Sequence, residues 1–135
     1  MGCMTPTELI RSTMPLCETL GMTAELADPD AVVLHLAWRR ELCTSGGLLH
    51  GGVVMAVADA AGGACAFLNL PDGAAGTSTI ESKTNFLGAV RDGDEIVATA
   101  TPLHVGRSTI VVETELRLAS GKLIAKTTQT QSVLR

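Results

Sequence analysis

The sequence predicts an α+β fold in which an antiparallel sheet wraps around one long central helix. Three observations carry that prediction. The run GGVVMAVADAAGGACAFL, Gly51 to Leu68, is apolar on nearly every side and long enough for about five helical turns. Four later runs, GTSTIESKTNFL, DEIVATATPLHV, RSTIVVETELRL and KLIAKTTQTQSV, switch to a period of two and are rich in Thr and Val. Turn chemistry separates them at Arg91-Asp92-Gly93-Asp94, Val105-Gly106 and Ser120-Gly121, so the last three runs are close enough to form antiparallel hairpins.

Each element has its own signal. TPTE at 5–8 has the form of a capping box, with Thr5 as N-cap, Pro6 in the first helical position and Glu8 reaching back. The short helix it starts is disturbed near Pro15 and ended by Gly21. Residues 1–21 are therefore an N-terminal helical segment of a single domain over 1–135. Asp28-Pro29-Asp30 divides two strands, at about 22–27 and 31–38. RRELCTSGG leads into the long helix, which stops at Asn69, Pro71 and Gly73. In RSTIVVETELRL one face carries Ile110, Val112, Leu116 and Leu118, and the other carries Glu113, Glu115 and Arg117. The many Ala and Gly residues of the helix leave room for a curved sheet to close on it.

Composition narrows the function. A 46% hydrophobic chain can bury a real core. A net charge of −4 and only three aromatic residues (Trp38, Phe67 and Phe86) argue against a nucleic-acid partner, which calls for basic surface and stacking rings. Cys3, Cys17, Cys43 and Cys65 show no CxxC and no metal-ligand spacing, so reduced thiols, no metal and a cytoplasmic setting are expected. MGCMTP has no basic stretch before a long apolar run, so no signal peptide is expected, and Pro6 stands where myristoylation wants Ser or Thr. Residues 51–68 approach the length of a membrane span. An Asp at mid-helix costs about 2.5–3.5 kcal/mol there, and Ala and Gly offset little of it. No membrane partner is expected. His35 and His104 read as structural, and Trp38, at a strand end, as packing or interface.

Asp59 is the one charged side chain between Gly51 and Leu68. A carboxylate enclosed with an apolar helix is costly without a partner, and carboxylates so placed mark active sites. The bland alternative is a hydrogen-bond acceptor at a subunit seam. Met55, Ala56, Gly62 and Gly63 lie one turn from Asp59, with Gly52 two turns back. They leave space for a thin ligand arm, or equally for close packing.

LLHGGVVMAVADAAGGACA, followed by NFLGAVRDGDEIVATATPLHVGRSTIVVETEL, resembles the hotdog-fold acyl-CoA thioesterases of the phenylacetate-degradation (PaaI-like) type, from about residue 45 to the C-terminus. The resemblance implies a hotdog fold, hydrolysis of an acyl-CoA to free acid and CoA, and no cofactor beyond the CoA of the substrate. It also implies a homodimer or homotetramer with the acyl-CoA at the subunit interface. By motif position Asp59 is the catalytic carboxylate, as general base or as nucleophile. Gly51 offers its N–H to the thioester oxygen, and His50 shapes that turn. A Ser or Thr on the next strand is expected to assist: Thr77 or Ser78, of which only one can face inward, with Ser78 preferred. Thr44 stands where many relatives carry an Asn or Gln that orients water. For the CoA phosphates the candidates are Arg107, with Gly106 and Ser108 in the same turn, then Arg91, Lys83 and Asn85.

Helix geometry adds a constraint of its own. A helix N-terminus favours developing negative charge, which suits Gly51 as an oxyanion donor. Gly51 and Asp59 are eight residues apart, about 12 Å along one helix. They cannot both reach one reacting carbon from the same chain, so the site is expected to need two chains. Two other readings stand beside hydrolysis. One is a non-catalytic acyl-CoA binding module, for which Thr44 speaks. The other is a dehydratase or hydratase pairing His50 with Asp59.

Overall fold

The structure, a computed structural model, describes residues 2–135. The chain opens with two short helices, α1 (Pro6–Thr13) and α2 (Pro15–Leu20). Thr5 caps α1 reciprocally: its hydroxyl accepts from the Glu8 N–H, and the Glu8 carboxylate accepts from the Thr5 N–H, both at 3.1 Å. Pro15 cannot continue α1 because it has no N–H to donate. Gly21, at φ 77°, ends α2 in the left-handed conformation that glycine adopts most readily.

Strands β1 (Thr23–Asp28) and β2 (Ala31–Ala37) follow, then 3-10 turns at Arg40–Leu42 and Ser45–Gly47. Next come the long helix α3 (Gly51–Leu68) and strands β3 (Gly76–Phe86), β4 (Glu95–Val105), β5 (Thr109–Leu118) and β6 (Leu123–Leu134). All six strands form one antiparallel sheet in the order β1-β2-β4-β5-β6-β3. The expected hairpins β4–β5 and β5–β6 are present. β3 bypasses its sequence neighbour β4 and pairs with β6, which puts it at the sheet edge.

The core lies between the sheet and one side of α3. Leu34, Leu36, Ile96, Ala98, Ile110, Val112 and Leu116 meet Val54, Val57, Ala58, Ala61 and Cys65, all buried. Each fully buried aliphatic chain contributes about 1.5–3 kcal/mol. Burial pushes the Cys65 thiol up to about 11, so it stays protonated and inert.

The enclosure expected of α3 is incomplete within one chain. The sheet does not cover the whole helix: Met55 and Phe67 are left exposed, and Asp59 is exposed at the margin that the side chains of β3 and β6 still reach. Asp59 is therefore a solvent-facing carboxylate here rather than a buried one. Among the described residues α3 is the helix long and apolar enough to cross a membrane, yet its aliphatic side packs on the sheet.

One irregularity in β3 decides which of its residues reach α3. Thr79 pairs with Gln131, but Glu81 pairs with Thr130, so Ile80 is an extra residue in the strand. Before this bulge Thr77 and Thr79 share the face of Val133 and Gln131. After it, Ser82, Thr84 and Phe86 share the face of Gln129, Thr127 and Ala125.

Candidate active site

Asp59 projects from the middle of α3 towards the N-terminal half of β3 and the last part of β6. Its Oδ1 accepts from Gln129 Nε2 at 3.3 Å and from Thr79 Oγ1 at 3.5 Å. Gln131 Nε2 donates to Thr79 Oγ1 at 2.8 Å, so the Thr79 hydroxyl proton is directed away, towards the carboxylate. The sheet thus supplies a row of polar side chains to the one charge on α3.

A cavity of about 480 Å³ opens beside this cluster. Its polar margin includes Asp59, Thr77, Thr79 and Gln131, and its apolar walls include Leu9 of α1, Met14 between α1 and α2, Ala27 of β1, and Phe67 and Leu68 of α3. An apolar pocket with a few converging polar groups is the usual form of a small-molecule site.

A second set of expected residues gathers at the N-terminus of α3. His50 is its N-cap, and the ring Nδ1 accepts from the Gly52 N–H at 2.8 Å. The His50 N–H donates to Leu42 O, while Val53 and Val54 both donate to His50 O. Among the described residues the Gly51 N–H meets no acceptor. The Phe86 ring lies alongside, 3.4 Å from where a Gly51 Cβ would sit. Thr44 belongs to the loop that delivers His50 and is tied to it by Thr44 N–H donating to Leu48 O at 2.9 Å. These three residues form a unit, separate from the Asp59 cluster by the helix length between them.

The preference for Ser78 over Thr77 is reversed. Thr77 lines the cavity, while Ser78 points to the opposite face because the strand alternates. Sequence reasoning missed Thr79, Gln129 and Gln131. Thr79 was visible as the same-face neighbour of Thr77. The two glutamines share the alternation that buries Thr127 and Val133, but Gln is a residue type that usually faces water.

The basic candidates do not converge within one chain. Lys83 and Asn85 are exposed beyond the bulge, paired with Thr128 and Lys126 on the sheet face away from α3. Arg91 lies in the turn before β4, where its N–H donates to Asp94 Oδ2. Arg107 lies after β4, so roughly 35 Å of strand separates the two. The Gly106 N–H, beside Arg107, already donates to Thr109 O, and the same turn crowds Gly106 against His104. Arg107 and Ser108 remain exposed there, and Arg135 donates to Arg107 O at 2.9 Å. No group of three or more His, Cys, Asp or Glu placed to hold a metal occurs among the described residues.

The sequence profile of the Thioesterase superfamily matches residues 46–125, which hold α3 with His50, Gly51 and Asp59, and the HVGRS turn. This chain belongs to that superfamily. A provisionally named esterase of Saccharolobus solfataricus is 37% identical to this member over 103 residues, covering 76% of this chain and 71% of the relative. Among solved structures, a thioesterase of Haemophilus influenzae superposes with a TM-score of 0.88 at 26% identity, over 99% of this chain and 93% of that one. AziG of S. sahachiroi superposes at 0.85 with 32% identity, over 90% and 97%. The superfamily assignment and the sheet-and-helix architecture together establish a hotdog thioesterase fold of the PaaI-like type, with thioester hydrolysis as its general chemistry.

Proposed function

We propose that the protein hydrolyses an acyl-CoA thioester to the free acid and CoA at sites shared between two copies of the chain. The observation that carries the proposal is the position of Asp59, the one charge on α3, at the edge of an apolar cavity. Its place gives the acyl group an apolar pocket and the thioester carbon a carboxylate. Asp59 takes a proton from water as the water oxygen attacks the carbonyl, or attacks the carbonyl itself, expelling CoA as thiolate to give a mixed anhydride that water then cleaves to the free acid and the Asp59 carboxylate. In the first route the tetrahedral intermediate collapses with CoA leaving as thiolate, and Asp59 returns the proton to the sulfur.

The carbonyl oxygen becomes an oxyanion and needs a donor within hydrogen-bond reach. The free Gly51 N–H is such a donor, but it lies about 12 Å along the helix from Asp59 of its own chain. A second copy of the chain supplies it. The surface suited to that copy is the uncovered side of α3 with β3. Phe67 (58% exposed), Ile80 (64%) and Phe86 (52%) are large apolar side chains left exposed on α3 and β3, and the outer edge of β3 is unpaired. Two β3 edges running antiparallel bring the Arg91 end of one chain towards the Arg107 end of the other, which fits binding of the CoA phosphates between chains. No further cofactor is required.

The test is thiol release from short, medium, long and aryl acyl-CoAs by wild type and Asp59→Asn at matched oligomer size. Turnover by wild type, reduced about 10²–10⁴-fold in the variant, is the expected result. Acyl-CoA binding without turnover by wild type contradicts the hydrolase reading. Equal turnover by both proteins removes Asp59 from the mechanism.

A further inference from the structure

Strand β6 turns three polar side chains towards α3. Thr127, Gln129 and Gln131 are all buried, with Gln129 at 0% and Gln131 at 2% exposure. Aliphatic residues ordinarily fill such positions, because a buried amide needs partners for both its oxygen and its nitrogen. Thr127 has one in Thr84, and Gln131 has one in Thr79. Gln129 is only half satisfied. Its Nε2 donates to Asp59 Oδ1, while its Oε1 is buried and meets no donor among the described residues. The reverse orientation of the amide is worse, since it would turn an oxygen onto the carboxylate.

The helix is also shaped around this side chain. A Cβ at Gly62 would stand 2.1 Å from Gln129 Oε1 and 2.5 Å from its Cδ, so the carboxamide rests directly on the backbone of α3. Gly62 leaves the space in which the Gln129 carboxamide lies, and a side chain there would displace it. A buried side chain that leaves its oxygen unsatisfied and lies against a helix glycine is poorly explained by packing alone.

We propose that Gln129 is a positioning residue for the reaction: wedged against Gly62, it ties Oδ1 of Asp59 to the sheet and leaves Oδ2 as the oxygen that acts on water or thioester. Thr79 donates to the same Oδ1, so both sheet donors hold one side of the carboxylate. This inference rests on the hydrolase reading of Asp59. Gln129 touches neither water nor thioester in this role, so it acts on the rate through the angle of the carboxylate and not through substrate binding.

The experiment compares Gln129→Leu, Gly62→Ala and Asp59→Asn with wild type, using an acyl-CoA that wild type hydrolyses. Gln129→Leu removes the donor at similar volume. Gly62→Ala keeps the amide but pushes it off the carboxylate, so it carries the test if Gln129→Leu does not fold. The expected result for both is kcat lower by about ten- to a hundredfold, the range for losing one hydrogen bond to a charged group. KM should stay within about twofold, with the thermal midpoint undiminished in Gln129→Leu. Wild-type kcat in the folded variants, or a raised KM at unchanged kcat, overturns the role of Gln129 while Asp59→Asn still shows the loss. Undiminished turnover in Asp59→Asn overturns the Asp59 reading itself, and this inference with it.

Discussion

Asp59 was legible in the sequence because it is the one charge in an apolar helix, and no other residue there could account for it. Its surroundings were not legible to the same degree. Period-two alternation shows that Thr77 and Ser78 face opposite ways, but it does not phase the strand relative to the helix. That phase comes from pairing β3 with β6, far away in sequence, and the bulge at Ile80 then shifts it again. Gln129 and Gln131 escaped for the related reason that residue type argued for water while the strand register argued for burial. The hydroxyl of Thr79 is where these contacts meet. Thr79→Val removes a donor from Asp59 and leaves the buried Gln131 amide without its acceptor, which should lower stability by about 1–3 kcal/mol. Urea unfolding of the two proteins checks this, and an unchanged midpoint contradicts the network.

The elements were read more fully than their partners. The capping box of α1, the Pro15 break and the Gly21 stop all follow from local chemistry and appear as expected. The role of α1 did not follow, since only the tertiary fold places Leu9 and Ile10 in the cavity wall. Thr5→Ala should therefore do two things. It should cost about 1 kcal/mol of stability through the lost cap, and it should raise KM for longer acyl-CoAs more than for the shortest. A uniform change across the panel contradicts the placement of the acyl group against α1. His35 links three strands on the other side of the sheet. From β2 it contacts Glu95 of β4 through Nδ1 and Glu25 of β1 through Nε2, the latter at 3.0 Å. Burial pulls its pKa down, but the hydrogen bonds and charges of Glu95 and Glu25 outweigh burial and raise it above 6.5. The folded state thus binds this proton more tightly than the unfolded chain. The clamp's stabilisation is complete below about pH 6.5 and is lost as pH rises through the raised value. Urea titrations of wild type and His35→Gln should show a stability difference that shrinks from about pH 6 upward, and a difference that grows with pH contradicts the clamp.

Taken whole, the single chain covers α3 incompletely. Its core is closed on one side of α3, while exposed apolar side chains, an unpaired edge strand and the two separated groups of the proposed site, Asp59 and Gly51, lie outside it. The fold was readable from the sequence because alternation, caps and turns are local signals, and the proposal of a two-chain site follows from helix rise alone. The surface proposed for a second chain was not readable, because exposure on α3 and β3 depends on the full sheet. The central claim is that Asp59 and Gly51 act together only from different chains, and a mixing experiment tests it directly. Gly51→Pro removes the N–H with little disturbance. Proline suits the first helical position, and His50 at φ −63°, ψ 132° already has the extended backbone that a residue before proline adopts. Asp59→Asn and Gly51→Pro chains, each inactive alone, are unfolded together and refolded as an equal mixture, and thiol release is measured. In a two-fold dimer half of the assemblies are mixed, and each mixed dimer holds one intact site, so about a quarter of wild-type activity should return. No recovery from mixed dimers, with both parent variants inactive, contradicts a site shared between chains.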